Sequence, residues 1–473
     1  MKRPTRPSVQ RLVAVSAATG LLAIAGCGNS SMDTDTADSS SGGEVKIGLI
    51  VPKTGDYKTV GDDLHDGWQL YLDQHGGKLG GRKVTVVEAD EGDGGETART
   101  AAKKMLEQDR VVAIVGGATA PTTATLQPLV TAAGVPFIGT GGRPSTVSDV
   151  THVWHTSWLS QETGAAAADY VRTTVNGPVF AIGPDYIGGR DNINGFVKPF
   201  TAGGGKLANA DGEPEWTPWT PPTTNFAPYL TKIKKSDAKA VYAFYGGKSA
   251  AEFVKQYKQF GISIPLYGPG FLTEGLLPLL GDAGVGVWTC LNYASTLDTT
   301  ANRQFVAAYQ TAHQGKTPNL YNVTAWDAAL ILDRAITAVT QPAATPATSS
   351  TSGTSSASAP APTLPAVSPP SASAVVAASS VASIGPLPAG TTASGTSSVS
   401  GSPRAGGRTV AGVDPAALNA AIGALGQIDS PRGPWQFGSL NHTPVQKWYL
   451  RRVQADGTTF SNVVVQELAT LGA

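Results

Sequence analysis

Residues 45–55 read Val-Lys-Ile-Gly-Leu-Ile-Val-Pro-Lys-Thr-Gly, and this stretch decides the fold. Its first seven residues form a short apolar run, which is typical of a buried strand in a parallel sheet. A proline and a Thr-Gly pair then end the strand in a turn. The segment 61–75 that follows has the spacing of an amphipathic helix, with an apolar face made of Leu64, Trp68, Tyr71 and Leu72. A strand that turns directly into such a helix predicts the first unit of an α/β sheet.

The alternation of strands and helices continues to residue 290. Further strands are predicted at 83–89, 111–115, 136–139, 179–182, 240–244, 265–267 and 285–289. Further helices are predicted at 96–108, 121–133, 160–174, 187–200, 226–234 and 248–260, with a kink at Pro128. Beyond 290 we predict helices at 300–313 and 321–339, a helix start at Asp414-Pro415, and final strands at 445–453 and 460–467.

Two blocks of this alternation predict an α/β fold with two doubly wound, mostly parallel-sheet lobes. The folded part has about 350 residues, more than one hydrophobic core usually serves. Because segments return after residue 290, a hinge of several chain crossings is expected between the lobes. We assign 45–157, 291–340 and 413–432 to lobe 1, and 158–290 and 433–473 to lobe 2.

The region 341–412 differs abruptly from the rest of the chain. It consists almost wholly of Ala, Ser, Thr, Pro, Gly and Val, and Arg404 and Arg408 are its only charged residues. A segment of this composition cannot bury enough apolar surface to form a packed core. We therefore predict a disordered insertion there.

The first 26 residues have the features of a bacterial signal peptide. Four basic residues precede an apolar run at 12–25, which is shorter than the about 20 residues that a transmembrane helix needs. The run ends in Ile24-Ala25-Gly26-Cys27, which resembles a lipobox, where the cysteine becomes the lipidated first residue. A plain secretory signal with a chance cysteine is the alternative. The polar segment 27–44 is predicted to be a flexible tether, so we expect an extracytoplasmic chain anchored to the outer face of the cell membrane through the lipid on Cys27.

Charge and cysteine content exclude several classes of partner. Basic and acidic residues number 35 each, and the first 26 residues hold four basic and no acidic ones, so the remaining chain has a net charge of 0 − 4 = −4. Nucleic acid, which requires a basic surface, is therefore not an expected partner. Apart from Cys27, Cys290 is the other cysteine, so we predict no intrachain disulfide and a buried core thiol.

Motifs of enzymatic chemistry are absent from the sequence. It contains neither a Gly-x-Ser-x-Gly elbow nor a His-Glu-x-x-His motif. His152 and His155 are the one close histidine pair, and their odd spacing in an extended stretch directs the two rings to opposite faces. The carboxylate pairs Asp62–Asp63 and Asp90–Glu91 fall where solvated turns are expected. We predict no catalytic residue, no metal site and no cofactor.

Several further segments carry a resemblance to a known family. They are 76–82, 106–117, 183–190, 267–273, 300–305 and 429–434. In this order, behind the opening strand at 45–55, they resemble the leucine/isoleucine/valine-binding protein family of type I periplasmic binding proteins. The nearest branch is the one associated with aromatic acids or amides.

The resemblance implies a function. Such a protein captures a small organic solute (an amino acid, an aromatic acid or an amide) in a cleft that closes by hinge motion, and delivers it to the permease and ATPase subunits of an ABC importer. We expect a monomer that is not an enzyme. A lipoprotein that reports ligand occupancy to a signalling receptor is one alternative, and a secreted hydrolase is another.

In lobe 1 the resemblance places ligand contacts on two loops. The first is Gly116–Pro121, where many members carry a serine that holds a carboxylate and this chain has Ala120, with Ala118 and Thr119 beside it. Thr119 either substitutes for that serine or caps the following helix. The second loop contains Gly141, Gly142 and Arg143. The Arg143 guanidinium either grips a carboxylate or belongs to an exposed loop.

In lobe 2 the expected contact is Tyr186, while Gly188 stands where members of the family usually have an aromatic residue. Candidate apolar walls of the cleft, each of which could instead pack in a core, are Tyr57, Trp158, Tyr245 and Phe271. The acidic residue that some members use for a ligand ammonium falls near Gly270, with Glu274 close to it. Without that acid, we expect an acid or amide rather than an α-amino acid.

Overall fold

The computed structural model describes residues 43–92, 94–341 and 412–472. The predicted signal peptide, Cys27, nearly all of the predicted tether and the predicted insertion lie outside these ranges. Within them, no helix has the length and apolar character needed to cross a membrane.

The first sheet is built from six strands that the chain forms before residue 156. They are β1 (Val45–Val51), β2 (Lys78–Leu79), β3 (Arg82–Asp90), β4 (Ala113–Gly116), β5 (Phe137–Gly139) and β6 (Val153–His155). Their order is β2-β3-β1-β4-β5-β6, and every pair except β2–β3 is parallel. The helices of this part are α1 (Lys58–Gln74), α2 (Glu96–Lys104), which continues as a π-turn over Met105–Asp109, and α3 (Ala120–Ala133).

The second sheet has nine strands. They are β7 (Val179–Pro184), β8 (Glu215–Thr217), β9 (Ala240–Ala243), β10 (Leu266–Pro269), β11 (Trp288–Leu291), β12 (Ile428–Ser430), β13 (Gly433–Phe437), β14 (Pro444–Asp456) and β15 (Thr459–Leu471). The order is β12-β13-β14-β11-β10-β9-β7-β8, and β15 pairs with β14. Strands β7 to β11 pair in parallel, whereas β12 to β15 pair antiparallel.

Helices cover both sheets. Those that follow β6 along the chain are α4 (Glu162–Val175), α5 (Ile187–Ala202), α6 (Ala227–Lys235), α7 (Gly247–Gln259), the short α8 (Leu277–Leu280), α9 (Thr300–Ala312), α10 (Leu320–Thr340) and α11 (Pro415–Gly423). Helix α10 packs on α1, which returns it to the first sheet. Gly67 permits this approach, because a Cβ there would lie 2.1 Å from the backbone oxygen of Asn322.

The predicted fold class is confirmed: the chain forms two α/β lobes with mostly parallel sheets. Cys290 is buried in β11, as expected, and burial raises the pKa of its thiol to about 12. Strands β2, β6, β8, β12 and β13 were not predicted as strands, and all of them except β13 have only two or three residues. The helix that contains Pro128 runs uninterrupted from Ala120 to Ala133.

A buried polar network lies where the chain crosses between the sheets. The Arg432 guanidinium pairs with the Asp327 carboxylate at 2.9 Å, and it donates to Gln446 Oε1 at 2.8 Å. Gln446 Nε2 in turn donates to the carbonyl of Ser157, and Asn292 Nδ2 also donates to Gln446 Oε1. Ser157 follows β6 and Asn292 follows β11, where the chain passes between the sheets, whereas Asp327 belongs to α10, Arg432 lies between β12 and β13, and Gln446 belongs to β14. One network thus joins two crossings of the chain to α10 and to the last strands of the second sheet. We refer to it as the hinge network.

Candidate functional site

A small cavity lies at the carboxyl ends of the parallel strands of both sheets, and we refer to it as the interlobe cleft. Its lining residues are Tyr57, Ala118, Thr119, Ala120, Gly142, Trp158, Ser160, Tyr186, Gly188, Asn192, Phe244, Phe271 and Tyr321. The loops after β1, β4 and β5 supply lining residues from one lobe, and the loops after β7, β9 and β10 supply them from the other. Trp158 and Ser160 follow β6, Asn192 belongs to α5 and Tyr321 to α10. Ligands of open α/β sheets bind at this edge, because the strand-to-helix loops gather there.

Aromatic rings form most of the cleft wall. The Phe271 ring lies 5.1 Å from Trp158, 5.7 Å from Phe244 and 6.3 Å from Tyr321, measured between ring centroids. Tyr186, whose ring lies 6.3 Å from that of Phe244, stacks on Trp219 at 4.2 Å with an interplanar angle of 19°. Such a wall offers flat apolar surface, which favours a planar solute.

The cleft is closed in this structure. Its volume is about 30 Å³, which is room for about one water molecule and far below the several hundred Å³ of a typical ligand pocket. The hydroxyl groups of Tyr57 and Tyr186, which come from different lobes, lie 3.3 Å apart across it. A solute therefore enters only when these two side chains separate.

Two further polar contacts join the lobes beside the cleft. The Asp56 backbone oxygen accepts from Lys248 N–H at 3.2 Å, and its carboxylate accepts from Ser249 N–H at 3.3 Å. Asp56 of the β1–α1 loop thus caps the N terminus of α7, where Gly246 has no side chain to do so. On the other side, Ser145 donates its N–H and its hydroxyl to the Asp191 carboxylate, each at 2.7 Å. These contacts hold the lobes in the closed arrangement.

The polar groups that line the cleft are neutral. Among the residues that the structure describes, none with a charged side chain belongs to the cleft lining. Burial raises the pKa of the Tyr57, Tyr186 and Tyr321 hydroxyls above its ordinary value near 10, so all three stay protonated at neutral pH. The cleft can therefore donate hydrogen bonds to a solute without offering it an opposite charge.

Glu91 was expected in a solvated turn, and this expectation is wrong. The residue is completely buried, and its carboxylate accepts from the N–H of Ala118 at 2.8 Å, from the N–H of Thr119 at 3.1 Å and from the Thr122 hydroxyl at 3.0 Å. Desolvation raises the pKa of Glu91 to about 7, although these hydrogen bonds oppose the shift. The N terminus of α3 thus already holds a carboxylate from this chain.

The structure brings together eight of the eleven predicted ligand-binding residues in the cleft lining. They are Tyr57, Ala118, Thr119, Ala120, Gly142, Trp158, Tyr186 and Phe271. Thr119 immediately precedes α3, but its hydroxyl lies 3.1 Å from the Thr122 hydroxyl and makes no capping hydrogen bond to the helix backbone. The alternative prediction that the Thr119 side chain caps α3 is therefore wrong.

Three predicted residues lie outside the cleft lining. Gly141 precedes the lining residue Gly142, and the Gly141 carbonyl accepts hydrogen bonds from His155 and Ser157. Arg143 is neither exposed nor in the cleft, because successive residues of an extended segment face opposite sides and Gly142 faces the cleft. Its guanidinium donates to the carbonyl of Val147, within its own loop.

Tyr245 is placed away from the cleft for the same reason. Phe244 lines the cleft, so its neighbour Tyr245 points into the core on the other side of the sheet. There it packs on Phe226 and Phe253, with its hydroxyl 3.2 Å from that of Thr217.

Five lining residues were not predicted: Ser160, Gly188, Asn192, Phe244 and Tyr321. At Gly188 the missing aromatic wall is replaced by Tyr186, since a Cβ on Gly188 would lie 2.8 Å from the Tyr186 ring. Phe244 could not be told from its neighbour Tyr245, because the strand before it is apolar and buried at every position. Tyr321 was not predicted, because it belongs to a helix that is distant in sequence.

A larger cavity of about 670 Å³ lies elsewhere in the molecule, between α1, the α9–α10 loop and the β14–β15 hairpin. It contains Glu274, whose carboxylate pairs with Arg451 at 2.8 Å and accepts from the N–H of Leu320 at 2.7 Å. Glu274 is thus already paired within the chain and does not line the interlobe cleft. No cluster of potential metal ligands occurs among the described residues.

Comparison with known proteins identifies the family to which the chain is similar. A family model described as periplasmic binding protein matches residues 44–364. The Leu/Ile/Val-binding protein homolog 6 of Brucella melitensis is 30% identical over 270 residues, which cover 55% of this chain and 67% of that protein. The homolog 6 of Brucella suis matches with the same identity and coverage.

Solved structures with a similar fold include solute-binding proteins of ABC transporters. One from R. palustris in complex with benzoate has a TM-score of 0.69 and 25% identity, covering 90% of this chain and 97% of that one. One from Rhodopseudomonas palustris BisB5 in complex with 3,4-dihydroxybenzoic acid has a TM-score of 0.70 and 23% identity, covering 91% and 98%. A leucine-binding protein from Thermotoga maritima has a TM-score of 0.66 and 15% identity, covering 90% and 98%.

Proposed function

Because the chain belongs to the periplasmic binding protein family, whose members bind solutes and are not enzymes, we propose that it captures a small aromatic acid or amide in the interlobe cleft. The observation that carries this proposal is the ring wall of Trp158, Phe244, Phe271 and Tyr321 around a space whose lining, among the described residues, has no charged side chain. The similarity to a benzoate-bound solute-binding protein supports the same class of ligand.

Capture follows from the arrangement of the cleft. In an open form, the Tyr57–Tyr186 contact and the polar contacts of Asp56 and Asp191 between the lobes are broken, and the rings that line the cleft meet water. A planar solute placed between the walls removes apolar surface from water, worth roughly 25 cal/mol per Å². Closure then removes water from its polar group, which needs fixed donors such as the tyrosine hydroxyls and the Ala120 N–H. The solute thus stabilises the closed form by its differential affinity for it.

An α-amino acid is the second candidate solute, supported by the similarity to Leu/Ile/Val-binding protein homologues. The absence of a carboxylate from the described cleft lining favours an aromatic acid or amide instead, because a buried ammonium group needs an opposite charge.

Delivery to the permease and ATPase subunits of an ABC importer is our proposal for the cellular role. It is supported by the descriptions of the structural neighbours as ABC transporter proteins. Lipid anchoring through Cys27, action as a monomer, and the lobe division at 157/158, 290/291 and 432/433 belong to the same proposal. A sensor that reports occupancy to a receptor would use the same closure.

A titration of the purified protein tests the proposed ligand class. Isothermal titration with benzoate, 4-hydroxybenzoate, benzamide and leucine should give binding for at least one aromatic compound and weaker binding for leucine. Phe271→Ala should weaken aromatic binding by roughly 30-fold or more, since a buried ring at the centre of a site is typically worth about 2 kcal/mol. Tight binding of leucine with no aromatic binding would instead establish the amino-acid alternative.

A further inference from the structure

Glu91 occupies the position at which an anion would otherwise bind in the first lobe. The N terminus of α3 faces the cleft through Ala118, Thr119 and Ala120. The backbone N–H groups of Ala118 and Thr119 point away from the cleft to the Glu91 carboxylate, at 2.8 and 3.1 Å. A helix N terminus with this occupant no longer offers its full positive end to a second anion.

Little of the α3 N terminus remains for a solute. Pro121 has no N–H, and the N–H of Thr122 bonds to the carbonyl of Thr119. The Ala120 N–H is the remaining backbone donor of this turn, and within the described chain it makes no hydrogen bond. A solute carboxylate in the cleft would therefore gain one amide donor while lying close to a buried negative charge.

No cation balances Glu91 on the elements around it. Strand β4, the loop after it and α3 contain no titratable side chain. The nearby Asp90 carboxylate accepts from Lys53 N–H and from the Thr54 hydroxyl, and in α2 the exposed Glu96 pairs with Arg99. Within the described residues, Glu91 has no ion-pair partner.

On the cleft side, Tyr57, Tyr186 and Tyr321 stay neutral, and the acids that act on them are Asp56, Asp63 and Glu274. The loop after β5 carries the cation Arg143. Its guanidinium is directed to the Val147 carbonyl, and the acidic group that acts on it is Glu162 rather than Glu91. The charge on Glu91 is thus compensated only by neutral donors.

We infer that Glu91 is a specificity-determining residue that couples an anionic solute to a proton: its carboxylate repels a solute carboxylate in the closed cleft, so that such a solute is retained only while Glu91 is protonated. This inference rests on the proposed function, because it requires that an aromatic acid occupy the cleft. A neutral amide of the same shape has no such requirement. The charge on Glu91 would then decide between an acid and its amide.

The pH dependence follows from the buried position of Glu91, which raises its pKa to about 7. A free carboxyl group titrates near 4, so benzoate is an anion throughout pH 6–8 and does not itself contribute. If only the protonated form of Glu91 admits benzoate, its affinity falls as pH rises through 7 and is about tenfold weaker at pH 8 than at pH 6. Benzamide affinity stays constant over this range.

Isothermal titration of the purified protein with benzoate and with benzamide at pH 6, 7 and 8 tests the inference. We expect the affinity for benzoate, but not for benzamide, to fall about tenfold from pH 6 to pH 8. In Glu91→Gln, which mimics the protonated side chain, the benzoate affinity should not change with pH. Glu162→Gln is the matched control, because Glu162 is also a buried carboxylate with its pKa raised to about 7 but lies outside the cleft lining. This variant should keep the wild-type dependence.

Each outcome separates the inference from the proposed function. Benzoate binding that is independent of pH, or equally dependent on pH in Glu91→Gln, overturns the inference and leaves the proposed function intact. No binding of either compound at any pH overturns both. If Glu91→Gln does not fold, the wild-type protein still decides: titrations at pH 7 in buffers of different ionisation enthalpy should show uptake of about half a proton per benzoate and none per benzamide.

Discussion

The hinge network and the interlobe cleft are both buried and polar, but they differ in charge. In the hinge network a full ion pair, Asp327 with Arg432, is surrounded by partners that include Ser430 and Trp435. In the cleft the polar groups are hydroxyls and amides, and the described lining has no charge. A buried charge without a fixed partner is costly. The difference shows that this chain places charge where partners are permanent and neutral groups where the partner is a solute that leaves.

The largest effect should come from breaking the hinge network. In Asp327→Ala the Arg432 guanidinium stays buried without its counter-charge, and the carboxylate partners of Ser430 and Trp435 are lost. We expect the free energy of unfolding to fall by about 3–5 kcal/mol, as is typical when one partner of a buried pair is removed. Denaturant unfolding followed by circular dichroism measures it.

The control for this variant is an ion pair on the surface. Asp298 pairs with Arg303, but both side chains are largely exposed, and such pairs contribute at most about 1 kcal/mol. The free energy of unfolding of Asp298→Ala should therefore lie within about 1 kcal/mol of the wild-type value. Equal losses in the two variants would remove the contrast between fixed and solvated charge.

The next largest change in stability should come from Glu162, a buried carboxylate without an ion-pair partner among the described residues. Glu162, beside the cleft, accepts from the N–H of Leu159 at 3.0 Å, and desolvation raises its pKa to about 7. The folded protein thus binds this proton more tightly than the unfolded chain, so the contribution of Glu162 to stability decreases as pH rises from about 4.5 through 7. In Glu162→Gln that loss is absent.

We therefore expect Glu162→Gln to be more stable than the wild type by about 1–3 kcal/mol at pH 8, with the difference shrinking towards pH 5. Denaturant unfolding at both pH values provides the measurement. A variant that is less stable at pH 8 than the wild type would mean that the Glu162 charge is compensated, most directly by Arg143.

The two regions also differ in how well the sequence predicts them. The order of strands and helices predicted where the cleft lies, because the loops that follow parallel strands must gather at one end of a sheet. Which side chain of a loop faces the cleft depends on register, and a shift of one residue reverses it. For this reason Arg143 was predicted as a ligand contact together with its neighbour Gly142, and Tyr245 was predicted in place of its neighbour Phe244. Glu91 was placed in solvent because its partners lie 27 to 31 residues away in the chain.

The hinge network could not be predicted from local pattern at all. Asp327 and Arg432 are separated by 432 − 327 = 105 residues, and Arg432 and Thr156, which it also contacts, by 276. Neither periodicity nor a motif reports a pair at such a distance. Only the packing of the two crossings against α10 and the last strands of the second sheet brings these side chains together.

Two adjacent residues after β9 show how register decides which side chain faces the cleft. Phe244→Leu and Tyr245→Leu both remove a ring and keep an apolar side chain, but only Phe244 lines the cleft. We expect Phe244→Leu to weaken binding of an aromatic solute by about tenfold, or about 1.4 kcal/mol, and Tyr245→Leu to change it by less than about twofold. Isothermal titration measures both, after thermal melts confirm that each variant is folded. The opposite ranking would mean that Tyr245 is the ligand contact.

The smallest effect should come from the contacts that hold the closed cleft. Asp56 caps α7 of the other lobe with its carboxylate, and a helix cap is worth about 1 kcal/mol. Asp56→Ala removes that contribution from the closed form alone, so the equilibrium moves towards the open form and apparent solute affinity falls about fivefold. Asp185→Ala is the matched control, because Asp185 has the same charge but pairs with Arg190 within its own lobe. If Asp56→Ala binds as the wild type does, the cap forms equally well in the open state and does not contribute to closure.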